Sequence, residues 1–496
     1  MALAFPRYGH PILALVALVP LLVALSGWRG RPGVRPGAGA RRGFLLGMVT
    51  GVVHYAGTLY WTSDVVHTYG GLGWPSALLA AAGLVLYMTV YLAGGAAVIG
   101  LFVQRLGVRG LWLAPAVWVA GEYARGHVLG GFPWIPLGAS VVTLLPVAQV
   151  ASLVGVYGVS ALLALVATAI TVALTARPAG ARAAVAFAIV LLTTASLWGA
   201  LRIRDGRLAE DGDPFTVGLV QGNIAQDDKW NPTLAPAILD RYLSMTRAAV
   251  ARGARLVIWP ESSTPFLFDE DPVSAAAVRA LVRESGTPLL FGTDEFERGT
   301  PNRFYNSAFM LSGDGATAAV YRKMHLVPFG EYVPLRRLLF FIAPLVESVS
   351  DFAPGTRVTM LPVAGHMAST AICYEVVYPH LIRQAVLEGS ELLTTVTNDA
   401  WYGESSAPHQ HYALASMRAI EQGRYLARAA NTGISGIIDP YGREVARSGL
   451  FETTVVMGEV RFIRTRTVYA TIGDVVPQLG VLVTLLGLAA AFWRRP

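Results

Sequence analysis

The stretch "ASTAICYE", residues 368 to 375, is an apolar run that ends on Cys373 and is followed at once by Tyr374 and Glu375. A short apolar segment of this length reads as a buried strand, predicted over 367–373, feeding a helix over 376–389. Outward from it the same alternation repeats. Strands are predicted at 215–221, 255–260, 288–293, 305–312, 317–322, 392–397 and 434–439, and helices at 232–252, 273–285 and 407–428. Short strands separated by amphipathic helices imply a layered α/β domain with sheets covered by helices. Roughly 260 residues are enough to bury a full core. "DPYGRE" at 439–444 reads as a hairpin turn with Gly442 at positive φ.

The rest of the chain is of another kind. Of 496 residues 54% are hydrophobic and only 14% charged, too apolar for an ordinary soluble domain. The long uncharged runs lie in 1–200 and 473–493, whereas 201–472 has globular composition. The chain therefore divides into a transmembrane domain of about six spans (1–200), a globular domain (201–472), and a final helix with a tail (473–496). A span needs ~20 apolar residues; the candidates are 11–28, 43–62, 76–103, 110–124, 147–176, 182–200 and 473–493. Arg29, Arg31, Arg35, Arg41, Arg42, Arg105, Arg109, Arg177, Arg182, Arg494 and Arg495 flank them on one side, and only Arg125 and Arg7 fall on the other. The positive-inside rule makes the arginine-rich side cytoplasmic and puts 201–472 on the extracytoplasmic face. The first segment reads as a span, because its charges follow the apolar run and no small-x-small cleavage site is visible.

The net charge of +7 is no sign of nucleic-acid binding, since much of the excess sits beside the spans. Cys373 is the sole cysteine, which excludes an intrachain disulfide. Of 39 basic residues only Lys229 and Lys323 are lysine. A lysine kept against that bias points to a task for a compact, titratable cation. Lys229 has a surface position near the site as its plainest reading.

Three predicted strand ends carry reactive groups: Glu261 closes "RLVIWPES", Lys323 opens "KMHLVPFGEYVP", and Cys373 closes the strand of the opening stretch. In α/β sheets such ends are where side chains from separate elements converge. A cysteine attacks as thiolate, and its free pKa near 8.5 leaves little of it ionised at neutral pH. A carboxylate takes the proton, while an ammonium and the Tyr374 amide stabilise an oxyanion on a substrate carbonyl. The alternative for Cys373 is a small buried hydrophobe. His409 and His411 have no metal-like companions and read as loop or helix-start residues. Glu122 and Arg125, just before "GGFPWIPLG", read either as a local i, i+3 ion pair near the interface or as part of an interfacial element shaping lipid entry.

"EYARG" (122–126) with "GGFPW" (130–134), and then, in order, "VQGNIAQDDKW", "IWPES", "KMHLVPFGEYVP", "AICYE", "TNDAWYG" and "AANTGISGIIDPYG", resemble the apolipoprotein N-acyltransferases, the membrane branch of the nitrilase (carbon–nitrogen hydrolase) superfamily. The resemblance covers nearly the whole chain. It implies a multi-span α-helical membrane domain plus an extracytoplasmic α/β nitrilase-like domain, an αββα sandwich. It further implies a Glu-Lys-Cys triad on Glu261, Lys323 and Cys373, with Trp230, Glu331, Tyr374 and Glu375 supporting the site. The family usually has eight spans and a cytoplasmic N-terminus. Seven are counted here and 3–25 resembles the second of the eight, so the N-terminus is predicted outside the cytoplasm.

The implied reaction is a two-step acyl transfer in a bacterial inner membrane. A phospholipid acylates Cys373, and the diacylglyceryl-modified N-terminal cysteine of an apolipoprotein takes the acyl group. No metal or cofactor is expected, and the protein is expected to be a monomer. "LRRLLFFIAPLVESV" at 335–349 is predicted to dip into the outer leaflet, or else to pack against the spans. Two rivals use other chemistry. A membrane-tethered amidase would transfer to water, and a transporter or sensor would only bind.

Overall fold

The computed structural model describes residues 1–27, 39–332 and 352–493. The predicted outer-leaflet segment at 335–349 lies outside the described residues.

In the membrane part, Gly39–Leu59 continues into Trp61–Thr68 through a 54° bend. Trp74–Leu106 passes through a short 3-10 turn into Ala114–Arg125, and Ala151–Thr175, Pro178–Asp205 and Val475–Trp493 complete the set. Among the described residues four helices are long and apolar enough to cross a membrane, or five with the bent pair as one. Two expected spans differ. In place of the span expected over 11–28, the described residues 11–27 form a 3-10 turn (Pro11–Leu15) and an eight-residue helix (Val19–Ser26), because Pro20 and the left-handed Gly27 bound the helix closely. Residues 110–124 carry only the twelve-residue Ala114–Arg125, too short to cross alone. Gly43, Gly47 and Gly51 let Gly39–Leu59 lie directly on Trp74–Leu106. A Cβ at Gly47 would stand 2.6 Å from Ala93 Cα, so only glycine permits that approach.

The globular part is two six-stranded sheets face to face. The strands are β1 (Phe215–Gln221), β2 (Leu256–Ile258), β3 (Leu289–Glu297), β4 (Arg303–Leu311), β5 (Thr317–Arg322), β6 (Leu361–Val363), β7 (His366–Ile372), β8 (Leu392–Thr397), β9 (Leu426–Ala430), β10 (Gly436–Ile438), β11 (Glu444–Arg447) and β12 (Thr454–Val460). Their orders are β12-β1-β2-β3-β4-β5 and β11-β10-β9-β8-β7-β6. β1, β2 and β3 run parallel, as do β7, β8 and β9.

Side-chain alternation builds two cores from one sheet. Val217, Leu219, Leu256 and Ile258 face the second sheet, while Val220, Val257 and Trp259 pack beneath the outer helices Ala235–Ala251 and Pro272–Ser285. Pro379–Leu387 and Ala407–Gln422 cover the second sheet, completing an αββα sandwich. The helix expected over 407–428 stops at Gln422, where Gly423 adopts φ +60° and ends it; "LARAA" then becomes β9. Its alanines favour helix, but a place between β8 and β10 satisfies every backbone group in a buried sheet. β6 and β11, of three and four residues, are too short to show in the sequence pattern, and β12 (Thr454–Val460) is not among the expected strands. The turn after Asp439 forms as expected, with Gly442 at φ +82°.

Candidate active site

Each chemically interesting side chain stands just past the C-terminal end of a strand. Glu261 follows β2 by way of Trp259 and Pro260, and Lys323 is the first residue after β5. Cys373 opens a 3-10 turn, Cys373–Val377, directly after β7.

Lys323 Nζ lies 2.8 Å from Glu331 Oε1 and 3.5 Å from Glu261 Oε1, all three side chains being buried. Asn306, in β4, donates both amide hydrogens, one to each of those same oxygens at 2.8 Å. Backbone amides hold the remaining carboxylate oxygens: Asn398 N donates to Glu261 Oε2 at 2.9 Å, and Val327 N to Glu331 Oε2 at 2.7 Å. Buried charges stay ionised only when paired and hydrogen-bonded, and this cluster meets both conditions. Burial works against the Lys323 ammonium, but the Glu331 and Glu261 carboxylates outweigh it and raise its pKa. Lys323 therefore stays charged.

Cys373 is buried and has φ +51°, a left-handed backbone that costs a non-glycine residue about 1–3 kcal/mol. His411 Nε2 meets the Cys373 carbonyl at 3.1 Å, and since a carbonyl only accepts, that nitrogen carries the proton. Behind the imidazole, Nδ1 faces Asp399 Oδ1 at 3.0 Å and Arg428 Nη2 at 3.1 Å, and Arg428 also donates to Asp399 Oδ2 at 2.8 Å. Burial alone would raise the Asp399 carboxyl, but Arg428 and His411 hold it at about 2. Burial, then Glu261, push the Cys373 thiol up; Lys323 pulls it back without reversing the balance. The thiol thus rests protonated, and its sulfur can act as a nucleophile only with a base in place to take the proton.

Glu375 does not join the Lys323 cluster. Its Oε1 accepts from Tyr321 Oη (2.8 Å), Met324 N (2.7 Å) and His325 N (3.0 Å), and its Oε2 accepts from Ile372 N at 2.8 Å. This one carboxylate fastens the chain after Lys323 to the chain before Cys373. Tyr374 stacks on Phe132 and Trp134 at centroid distances of 5.9 and 6.4 Å, and its hydroxyl accepts from Tyr378. The loop after Ala114–Arg125 therefore forms one wall beside the cysteine. Trp230 lies in the turn after β1, 43% exposed, outside this hydrogen-bonded cluster.

Several expectations change. Lys229 is not a surface residue: it is 4% exposed, and its Nζ donates to the Glu261 carbonyl at 3.0 Å. His411 lies inside the Ala407–Gln422 helix, fully buried beneath Cys373. Glu122 and Arg125 form no ion pair among the described residues. Glu122 Oε1 instead accepts from Trp118 Nε1 (3.0 Å) and Leu137 N (2.7 Å), and Arg125 Nη1 donates to Tyr55 Oη at 3.3 Å. Asn306 gave no sign in the sequence, being one polar residue in a strand. Asp399 and Arg428 were equally silent, although Asp399 lies within "TNDAWYG". No metal-holding group of His, Cys, Asp or Glu occurs among the described residues.

Two family models match the two parts of the chain. A family model described as "Carbon-nitrogen hydrolase" matches residues 216–470, and "Apolipoprotein N-acyltransferase N-terminal domain" matches 1–169. An apolipoprotein N-acyltransferase of Geobacter metallireducens is 39% identical, over 100% of this chain and 94% of that protein. One from Gloeobacter violaceus is 33% identical, over 99% and 92%. Among solved structures, an amidase from Nesterenkonia sp. is 20% identical with a TM-score of 0.39, covering 50% of this chain and 91% of that one. The chain belongs to the apolipoprotein N-acyltransferase family, membrane-bound acyltransferases of lipoprotein maturation with a nitrilase-like domain.

Proposed function

We propose that this protein transfers an acyl group from a phospholipid to the lipid-modified N-terminal cysteine of apolipoproteins, through a thioester on Cys373. The observation that carries the reading is the meeting of Glu261 and Lys323 in one buried ion pair whose field reaches the Cys373 thiol. In the first half-reaction Glu261 accepts the thiol proton and the sulfur attacks a phospholipid ester carbonyl, at sn-1. Lys323 and the Tyr374 amide stabilise the tetrahedral oxyanion. As it collapses, the carbon–oxygen bond to the glycerol breaks, Glu261 returns its proton to the leaving oxygen, and a lysophospholipid departs. In the second half-reaction the acceptor's α-amine attacks the thioester, Glu261 takes the amine proton, and as the carbon–sulfur bond breaks Glu261 passes that proton to the departing sulfur. The product is an amide and the free thiol is restored. Trp230, Glu331 and Glu375 support the site without bonding to the acyl group, and Tyr374 supports it through its amide and by stacking on Phe132 and Trp134.

Residues 201–472 act as the catalytic domain on the extracytoplasmic face of the inner membrane, between the membrane segments 1–200 and 473–496. The arginine asymmetry of the short loops supports that orientation. Both substrates are lipid-anchored, so a site walled by Phe132 and Trp134 of the membrane part suits their delivery. The protein works as a monomer, and no step requires a metal or cofactor.

Incubation with phospholipid and no acceptor should load a hydroxylamine-sensitive acyl group onto the Cys373 peptide, seen by mass spectrometry. Acyl groups found only elsewhere, or full transfer by Cys373→Ser, would refute the mechanism.

A further inference from the structure

Only two lysines occur in the chain, and both end on the same residue. Lys323 approaches the Glu261 carboxylate, and Lys229 donates to the Glu261 carbonyl at 3.0 Å. The mechanism above uses the first and leaves the second idle. Lys229 is 4% exposed, and its other two N–H bonds have no hydrogen-bond partner among the described residues. A buried ammonium is costly to hold. An arginine-rich chain that places a lysine there has reason to need a small cation.

Charge balance supplies the reason. Glu261 and Glu331 carry two negative charges and Lys323 one positive, so this cluster is left at minus one. Moving the Cys373 proton to Glu261 does not alter that sum; it moves the uncompensated charge onto sulfur. Asp399 adds further negative potential at the thiol. Lys229 Nζ touches the Glu261 carbonyl, and the charged and titratable groups whose field reaches it are Glu261 past β2, Asp294 on β3 and Cys373 past β7.

We propose that Lys229 is a second cation serving the nucleophile, held in place by the Glu261 carbonyl and balancing the negative charge as the Cys373 thiolate forms. The inference rests on the reading of Cys373 as the acylated residue. Its role is positional and electrostatic, exerted on Cys373 without any bond to substrate. Burial lowers the Lys229 ammonium to about 8, while Glu261, Asp294 and Cys373 oppose that fall. The contribution should therefore fade as pH rises through that value.

The test uses the full-length detergent-solubilised protein and reads two rates from pH 6.5 to 9.5. They are alkylation of Cys373 by iodoacetamide and single-turnover thioester formation from phospholipid. Lys229→Met removes charge and donor; Lys229→Gln removes the charge and keeps a donor for Glu261 O. An opposite charge near a titrating group shifts it by one to three units. Both variants should therefore be at least about tenfold slower than wild type at pH 7 in both rates, with the gap closing by pH 9.5. Lys229→Arg, which keeps its charge throughout, should show no such closing. Wild-type rates in Lys229→Gln would mean that Lys229 only pins the Glu261 backbone, and a gap constant with pH would mean a merely structural loss; either overturns the proposal. If the variants do not fold, the wild-type profile decides: an alkylation rate that climbs in proportion to hydroxide straight through pH 8 overturns it, and a slope that weakens there supports it. Absence of acyl-Cys373 in the wild type would instead refute the underlying mechanism.

Discussion

Asn306→Asp is the most informative single substitution, because it changes almost nothing but charge. Asn306 donates to Glu261 Oε1 and Glu331 Oε1, both at 2.8 Å, and is itself buried. An ionised aspartate in its place would bring a third carboxylate about 2.8 Å from each of the other two. At an effective dielectric of 20 each contact costs about 6 kcal/mol. Each lost charge-assisted hydrogen bond adds about 1.5–3 kcal/mol. One ammonium, Lys323, does not neutralise three carboxylates, so the lower-energy outcome is that the introduced carboxyl keeps a proton. It then has one hydrogen to donate, and one of the two glutamates loses its anchor. Loss of one such bond predicts thioester formation about 10–100-fold slower near neutral pH, by 1.4 kcal/mol per factor of ten. As rising pH drives the proton off, the defect should deepen. Asn306→Ala loses both bonds but adds no charge, and its defect should be flat with pH. The assay is single-turnover acylation of Cys373 from phospholipid between pH 5.5 and 8.5, with thermal unfolding alongside to show that each variant is folded. Wild-type rates for Asn306→Asp at pH 8.5, or a profile parallel to that of Asn306→Ala, would refute this account of how Glu261 and Glu331 are held.

Glu375→Gln should destabilise the protein without touching the reacting atoms. The amide oxygen can serve Tyr321, Met324 and His325, but its NH2 then meets the Ile372 N–H, donor against donor. A loss of about 3 kcal/mol corresponds to roughly 6–12 °C in Tm; an unchanged melting curve would contradict it. His411→Phe removes the donor on the Cys373 carbonyl and should slow acylation about fivefold, the worth of one hydrogen bond (about 1 kcal/mol) in holding a strained residue. An effect on acceptor KM alone would argue against that placement. Asp294 is pushed up to about 6 by burial, against the Ser262 hydrogen bond and the Lys229 charge. Its raised pKa contributes stability that is fully present below the unfolded value of 3.8 and is lost as pH rises through about 6. Asp294→Asn should therefore raise Tm relative to wild type at pH 7.5 and by less at pH 5. The ceiling is about 3 kcal/mol, and differential scanning at the two pH values decides it.

What could be read along the chain and what could not divide by range. β1, β5 and β8 match their expected bounds because a buried strand flanked by turn residues is a local pattern, legible from a handful of neighbours. Glu261, Lys323 and Cys373 were legible for a related reason. Each sits where an apolar run stops, and the chain's economy in lysine and cysteine marks two of them. β9 was misread because "LARAA" carries a helical preference of a few tenths of a kcal/mol per residue, which the pairing partners β8 and β10 override. Those partners are set by the fold and not by adjacent residues.

The sequence by itself determined the two-part architecture, the strand-end positions of the three reactive groups and the family. Only the tertiary structure decided how the groups are governed. Asn306 clasps Glu261 from 45 residues away, and Asp399 and Arg428 reach Cys373 through His411. Phe132 and Trp134 of the membrane part back Tyr374. The physical reason is the same in each case. A polar side chain shows its role in sequence only through its neighbours in the chain, whereas burial, charge pairing and hydrogen-bond partners belong to neighbours in space. Lys229 is the clearest instance: beside Trp230 in a polar turn it looked solvent-bound, yet the fold closes over it and sets its ammonium on the Glu261 carbonyl.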